Sequence, residues 1–312
     1  MNVGITGATG FIGSYLLPWL ARDGALRIKA ITRTLSHDVE TFGGHVTWLK
    51  GDLNSSADCA DFAEGLDAII HLAHTNTPLT SNRDLVGDAQ ANLIPSLTLL
   101  QAVKSHGRPV HVIYSSSGGA IYGAGNAAHR EPIKETDPCL PVTAYGIQKL
   151  AFESYLRMAT HEGWLHATAL RIGNPYGVLL PAERMQGFIG VALQRHLRGL
   201  PVRIFGNPEN VRDYVHLDDV CRFFEKVVKA PQGFQVYNLS SGEGHSVNGI
   251  LDIMEKVTGK EIIREISYYP ESEKHLVPWI VLSVEKAARE LGWTPETPLV
   301  DGLKNLYDRS IS

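Results

Sequence analysis

The chain is poor in cysteine. Its 312 residues include three, Cys59, Cys139 and Cys221, too few and too scattered for a disulfide framework or a metal-binding pair. They are expected to be incidental thiols of a reducing compartment. No run approaches the roughly 18 consecutive apolar residues that a membrane-crossing helix needs. No charged leader with a cleavage site precedes Asn2–Thr6, which already has the character of a strand. An excess of one charge is missing too. With 29 basic and 33 acidic residues and a formal net charge of −4, the chain offers no basic footprint for nucleic acid and no polybasic patch for a membrane surface. Thirteen histidines fall in neither HExxH nor HxxxH spacing, so no metal is expected. Hydrophobic residues at 44% and charged residues at 20% exclude the disordered and fibrous classes. A soluble cytoplasmic enzyme is the expectation that remains.

Short apolar runs alternate with helical patterns through the first half, the signature of a parallel sheet covered on both faces. Strands are expected at Val3–Thr6, Arg27–Thr32, Val46–Leu49, Ala68–Leu72, Val110–Ser115 and Ala167–Arg171. Helices are expected over Phe11–Arg22, Asn82–Ser105 and Thr143–Glu162. The two long ones can pack against the core or against a second copy. After Arg171 the texture changes: Pro175, Gly177, Pro181, Gly187, Gly199, Pro201, Gly206 and Pro208 punctuate short elements, as in a smaller, loop-rich lobe. The expected division is a dinucleotide-binding domain over 1–172, with a returning segment near 235–258, and an interleaved substrate lobe over 173–312. Ser246 should cap a helix running to Val257.

Three motifs carry chemistry. Gly7-Ala8-Thr9-Gly10-Phe11-Ile12-Gly13 lies between the first strand and the first helix. Glycines there permit a tight turn and let backbone N–H groups and the helix N-terminus approach a pyrophosphate. Tyr145 and Lys149 open a long helix at i, i+4 spacing, which puts phenol and ammonium on one face. A cation at about 4 Å and an effective dielectric near 20 is worth ~4 kcal/mol, or roughly three pKa units. Such a shift would bring the phenol from near 10 toward working pH, where acid–base catalysis is most efficient. The third motif, Ser115-Ser116-Ser117-Gly118-Gly119-Ala120-Ile121-Tyr122-Gly123, follows a strand, and strand C-termini of open α/β sheets are where ligands bind. One serine hydroxyl is expected to meet substrate and phenol together, while the others satisfy the turn.

With these motifs in order, joined by Asp52-Leu53, His71-Leu72-Ala73, Asn92, Asn174-Pro175-Tyr176-Gly177 and Arg212-Asp213-Tyr214-Val215-His216, the chain resembles an extended short-chain dehydrogenase/reductase. Within that group it is similar to the nucleotide-sugar epimerase/dehydratase/reductase family. The resemblance implies an α/β fold, a Rossmann-type doubly wound parallel sheet with a smaller C-terminal substrate-binding lobe. It also implies catalysis by Tyr145 and Lys149, with Lys149 holding the nicotinamide ribose. The implied cofactor set is Gly7, Thr9, Gly10, Phe11, Ile12, Gly13, Arg33, Asp52, Leu53, Leu72, Ala73, His74, Asn92 and Ser115, joined by Tyr145 and Lys149. Asn92 serves foremost to tie helix backbone near Tyr145. Asn174 and Arg212 match positions that grip a substrate diphosphate, the rival role for Arg212 being an ion pair with Asp213 or Asp219. His71, His74 and His216 are expected to be packed or hydrogen-bonded. A homodimer through the two long helices is the implied assembly.

Departures from the family pattern narrow the reaction. Four residues before Tyr122 stands Gly118, where many members carry the catalytic hydroxyl; counting from the strand points to Ser117, with Ser116 the fallback. Gly118-Gly119 supplies no acid or base, which argues against dehydration. His74 replaces a usual small residue. Arg33 ends the second strand where NAD-preferring members have an aspartate, and suits a 2′-phosphate; Asp38 is the alternative partner of the ribose. Hydride transfer at C4 of a nucleotide-linked hexose is therefore expected, as an NADP-dependent 4-keto-6-deoxyhexose reductase by the weight of Arg33, or as an NAD-dependent 4-epimerase. A different class is a cofactor-sensing regulator with a dead site, for which an intact Tyr145–Lys149 pair would have no use.

Overall fold

A computed structural model describes residues 1–35, 42–78, 80–123, 130–267 and 277–311. The chain divides into two compact units: Met1–Ser117 with Thr143–Arg171 and Cys221–Tyr237, and Gly118–Val142 with Ile172–Val220 and Asn238–Ser312. The interleaving is deeper than a single break at 172 with a return near 235–258. The segment that returns to the first unit is 221–237, and 118–142 belongs to the second.

The strands are β1 (Asn2–Thr6), β2 (Arg27–Thr32), β3 (Val46–Lys50), β4 (Ala68–His71), β5 (Val110–Ser117), β6 (Leu165–Ile172), β7 (Asn174–Tyr176), β8 (Val202–Phe205), β9 (Val211–His216), β10 (Phe234–Leu239), β11 (Gly244–Ser246), β12 (Arg264–Ser267) and β13 (Trp279–Ile280). A seven-stranded sheet runs β10-β6-β5-β4-β1-β2-β3, with parallel pairing along β3-β2-β1-β4-β5. It is the expected Rossmann-type doubly wound fold. The first-unit helices are α1 (Gly13–Ala21), α2 (Ser56–Ala63), α3 (Leu85–Asp88), α4 (Ile94–Ser105), α6 (Ala144–His161) and the part of α8 (Leu217–Val228) from Cys221 on, with α5 (Gly118–Ile121) in the second unit. Phe62, Leu99, Val103, Phe152 and Leu156 from α2, α4 and α6, with Leu66 from the turn after α2, pack onto Ile69, Val112 and Tyr114. Burial of such side chains contributes about 1.5–3 kcal/mol each.

Chain order reverses between β1 and β4, and ligand crevices open at such switch points. Here the two strands are drawn unusually close. A Cβ on Gly7, whose φ is +71°, would lie 2.7 Å from the amide nitrogen of Ala73. Thr6 completes the join: its Oγ1 lies 2.7 Å from His71 Nδ1 and accepts from Ala73 N at 3.2 Å.

The helix expected over Asn82–Ser105 starts later, after extended Asp84, and changes pitch along its length. A 3₁₀ turn at Ser81–Arg83, the short α3 and a π-pitched stretch over Ala89–Leu93 precede α4. Pro95 cannot donate to the carbonyl four residues back, and the Asn92 side chain itself donates to the Asp88 carbonyl at 3.1 Å. The ladder widens between them. The helix expected at Thr143–Glu162 is present, with Thr143 as its cap.

In the second unit β9 organises the sheet: β11 and β13 flank it and β7 pairs with it in parallel. Its buried Asp213 accepts from Ser241 N and Oγ, Gly242 N and Leu282 N at 2.6–3.1 Å. The core of this unit gathers Tyr176, Leu193, Ile204, Met254 and Leu303, contributed in part by α7 (Phe188–Leu197) and α9 (Val247–Thr258). Ser246 caps α9, accepting from Gly249 N at 3.1 Å.

In the first unit one ion pair is fully enclosed: Arg171 Nη2 meets Glu153 Oε2 at 2.8 Å, the side chains 4% and 2% exposed. Removing one partner of a buried pair leaves the other charge uncompensated. Glu153→Ala is expected to destabilise the protein by about 3–5 kcal/mol, read as a lower urea midpoint. A loss near zero would show Arg171 content without its carboxylate.

Candidate active site

Helix α6 presents Tyr145, Lys149 and Glu153 at successive i, i+4 positions, one stripe on one face. Its start is fixed from outside the helix. Ala144 N donates to Asn82 Oδ1 at 2.7 Å and Tyr145 N to Ser81 Oγ at 3.1 Å, so two of the amides that a helix leaves without partners are satisfied. Further along, Gln148 donates to buried Asp88 at 2.5 Å, and Asp88 also accepts from Asn76 and Asn92. Asn92 accepts from Thr75 N at 2.8 Å. It is thus the structural tie near Tyr145, with both ends of its amide engaged inside the chain.

The three serines that end β5 meet three different partners, as alternation along a strand directs. The Ser115 carbonyl accepts from Lys149 Nζ at 2.7 Å. Ser116 Oγ donates to Glu153 Oε1 at 2.5 Å, and so spends its hydroxyl away from the phenol. Ser117 is hydrogen-bonded to the phenol of Tyr145. Of the two candidate serines, it is Ser117 that meets the tyrosine.

The electrostatics differ from expectation. Lys149 Nζ lies 5.4 Å from the Tyr145 ring centroid and 4.8 Å from that of Tyr114, but burial outweighs the attraction. The phenol is pushed up to about 12 by burial, against the opposing hydrogen bond from Ser117. The ammonium is pushed down to about 7 by burial, against the carboxylate of Glu153. Spacing alone had brought the phenol toward neutrality; desolvation of both groups reverses the sign, because each is more stable uncharged in a low-dielectric interior. The pair as it stands is a proton-holding phenol beside an amine poised near neutral pH.

His71 lies between Thr6 Oγ1 and Ser96 Oγ, at 2.7 and 2.9 Å, and burial pushes it down to about 3. His74 packs edge-on against Tyr145.

The glycine turn fits a pyrophosphate. A Cβ on Gly13 would lie 2.2 Å from the Gly7 carbonyl, and Gly10 N already donates to that oxygen at 3.0 Å. No side chain caps the N-terminus of α1, and Thr9 and Gly10 are exposed while Phe11 and Ile12 are half-buried. These first amides are the donors an anion would take. Leu72 and Ala73 pass under the turn. After β3, Asp52 accepts from Asn54 N and Nδ2, both at 2.9 Å, and Leu53 packs on the core. The Asn54 hydrogen bonds and the nearby Arg33 guanidinium hold the Asp52 carboxyl below its usual range. Arg33 is exposed, and Asp38 lies outside the described residues.

In the second unit, β7 sets Asn174 opposite Tyr214 of β9, and Asn174 Nδ2 donates to the Asp213 carbonyl at 3.0 Å. Arg212 donates to the Val211 carbonyl at 2.8 Å. It has neither expected ion pair: Asp213 is engaged as above, and Asp219 accepts from Glu296 N and Thr297 N. Glu153, Arg171 and Asp88 were not foreseen as parts of the site. Glu153 had a signal, lying eight residues beyond Tyr145 on the same helical face; Asp88 had none.

The profile of the NAD dependent epimerase/dehydratase family matches residues 3–240. A dTDP-4-dehydro-6-deoxyglucose reductase from Escherichia coli is 27% identical, covering 97% of this chain and 95% of its own. The crystal structure of a Thermotoga maritima UDP-glucose 4-epimerase with UDP-glucose superposes with a TM-score of 0.88 at 32% identity, over 100% of this chain and 99% of that one. A Thermus thermophilus UDP-glucose 4-epimerase in complex with NAD gives 0.85 at 28% identity, over 99% and 98%.

Folding takes Lys149 from an ordinary 10.5 to about 7. Between those values the unfolded chain binds the proton more tightly, so this group makes stability rise with pH. Urea midpoints from about pH 7 to about pH 10 should therefore climb more steeply for the wild type than for Lys149→Met. Parallel curves would show that the amine keeps its ordinary affinity for protons.

Proposed function

The chain belongs to the NAD-dependent epimerase/dehydratase family, and from that premise we propose that it moves a hydride at C4 of a nucleotide-linked hexose, acting as a 4-epimerase. The observation that carries hydride transfer is the phenol of Tyr145 hydrogen-bonded to Ser117, with Lys149 against its ring. Bound in the glycine turn, the dinucleotide supplies a hydride acceptor and donor. Gly7, Gly10 and Gly13 would hold its pyrophosphate, Asp52 its adenosine and Lys149 its nicotinamide ribose. Tyr145 holds and returns the proton of the sugar hydroxyl, and the Ser117 hydroxyl steadies the phenol oxygen as its charge changes. Arg212 is the cation for the substrate diphosphate, to which a forked guanidinium is suited.

A 4-keto-6-deoxyhexose reductase using NADPH is the second reading, favoured by Arg33. It stands second because Arg33 shares its charge with Asp52, which weakens the case for a 2′-phosphate, and because the similar structures are of UDP-glucose 4-epimerases, one with NAD. The assembly proposed is a homodimer. Ile94 on α4, with Ile147, Tyr155 and Met158 on α6, is 41–55% exposed, an apolar face of the kind that association covers. No helix among the described residues is long and apolar enough to cross a membrane.

The deciding experiment incubates the protein with UDP-glucose, UDP-galactose and a dTDP-4-keto-6-deoxyhexose, with and without added NADPH. Interconversion of the first two without added cofactor is expected; turnover only of the keto sugar with NADPH would establish the reductase instead. Tyr145→Phe should lower the rate by about 10²–10⁴-fold and leave dinucleotide binding intact. Ser117→Ala should lower the rate more than Ser116→Ala does. A Tyr145→Phe variant at wild-type rate would end the assignment.

Arg212→Ala should weaken UDP-sugar binding roughly tenfold to a hundredfold, the worth of a charge-assisted contact. Dinucleotide affinity should not move. Equal losses for both ligands in calorimetry would make Arg212 a scaffold residue.

A further inference from the structure

His74 follows the tightly packed Leu72-Ala73 segment on the loop that leaves β4. Its ring meets that of Tyr145 at a centroid distance of 4.8 Å and an interplanar angle of 89°. Its Nε2 is sealed from solvent and has no hydrogen-bond partner among the described residues. Native proteins leave few buried polar atoms in that condition, and each calls for an explanation. His71, three residues earlier, shows the ordinary solution, with both ring nitrogens matched to hydroxyls.

An orphaned nitrogen beside the phenol is accounted for by a group that arrives with the ligand. Burial, aided by Lys149 and His71, pushes His74 down to about 2, so the ring is neutral and offers a hydrogen bond without a charge. A hydroxyl matches either tautomer, since it both donates and accepts. Tyr145 and Ser117 serve the oxygen on the reacting carbon, and His74 flanks them. In a hexopyranose, the only hydroxyl borne by a ring carbon next to C4 is the one on C3.

We propose that Nε2 of His74 hydrogen-bonds the 3-hydroxyl of the sugar, which makes His74 a specificity-determining residue of the site. This rests on the reading of the site as one for hydride transfer at C4 of a nucleotide-linked hexose. A 3-deoxy sugar leaves Nε2 orphaned in the complex, and sites built around a hydroxyl discriminate strongly against ligands that lack it.

The test compares UDP-glucose, UDP-3-deoxyglucose and UDP-6-deoxyglucose on wild type, His74→Ala and His74→Asn, by turnover and by calorimetric Kd. Wild type should disfavour the 3-deoxy sugar by about tenfold to a hundredfold in kcat/KM, and the 6-deoxy sugar by less. In His74→Ala that gap should close to within about twofold, chiefly through loss on UDP-glucose, while His74→Asn retains part of it. A wild type without the gap overturns the proposal, and so does a gap that survives in His74→Ala. Equal losses on all three sugars would reduce His74 to a prop for the Tyr145 ring. A wild type that neither binds nor turns over any of the three overturns the reading of the site itself, an outcome distinct from those.

Discussion

Burying the amine of Lys149 is the constraint on which the rest of the first unit depends. An ammonium taken out of water loses several kcal/mol unless charge and hydrogen bonds offset the loss. Here the Ser115 carbonyl takes one proton at 2.7 Å, two phenol rings face the cation, and the carboxylate of Glu153 opposes its deprotonation. Glu153 is itself enclosed and needs Arg171 and the Ser116 hydroxyl around it. A single buried charge therefore obliges α6, β5 and β6 to carry polar partners at matched heights in an otherwise apolar interior. Three consecutive serines are not redundant in that setting. One offers its carbonyl to the amine, the next its hydroxyl to the carboxylate, and the third its hydroxyl to the phenol.

A second constraint operates where β1 and β4 meet. The absence of a Cβ at Gly7 lets the segment after β4 run against the turn after β1, and the Thr6–His71–Ser96 series locks that approach with hydrogen bonds. Close packing there does two things together. It leaves the amides of the glycine turn without competing side chains, and it brings His74 up against Tyr145. The anion cradle and the polar atom beside the phenol are two consequences of one backbone contact.

What could be read from sequence was what local chemistry determines. The glycine turn, the strand ends, the Ser246 cap and the i, i+4 placement of Tyr145 and Lys149 each depend on a few neighbouring residues. Counting along the strand also singled out Ser117. What could not be read depends on the environment. The sign of the Tyr145 shift follows from burial by distant elements, so spacing brought phenol and ammonium together but gave the wrong direction. The start at Leu85 of the helix expected over Asn82–Ser105 is set by extended Asp84, and its π-pitched stretch by Pro95 with the Asn92 side chain; a hydrophobic pattern is insensitive to any of these. Arg33 was legible as a cation just past β2, but its proximity to Asp52 comes from the β2–β3 side of the sheet and not from the order of residues.

Two arginines, buried Arg171 and half-buried Arg212, are treated in opposite ways. Arg171 has a carboxylate at 2.8 Å, so its charge is balanced within the fold. Arg212 stands next in sequence to a carboxylate, yet strand alternation turns Asp213 to the other face, where Ser241, Gly242 and Leu282 saturate it. Among the described residues the guanidinium is left with a neutral carbonyl, and burial lowers its hold on the proton. A cation held this way adds little to the stability of the chain alone and gains most when an anion joins it. An anion seated on Arg212 would therefore also stabilise the fold, because anything that binds only the native state stabilises it.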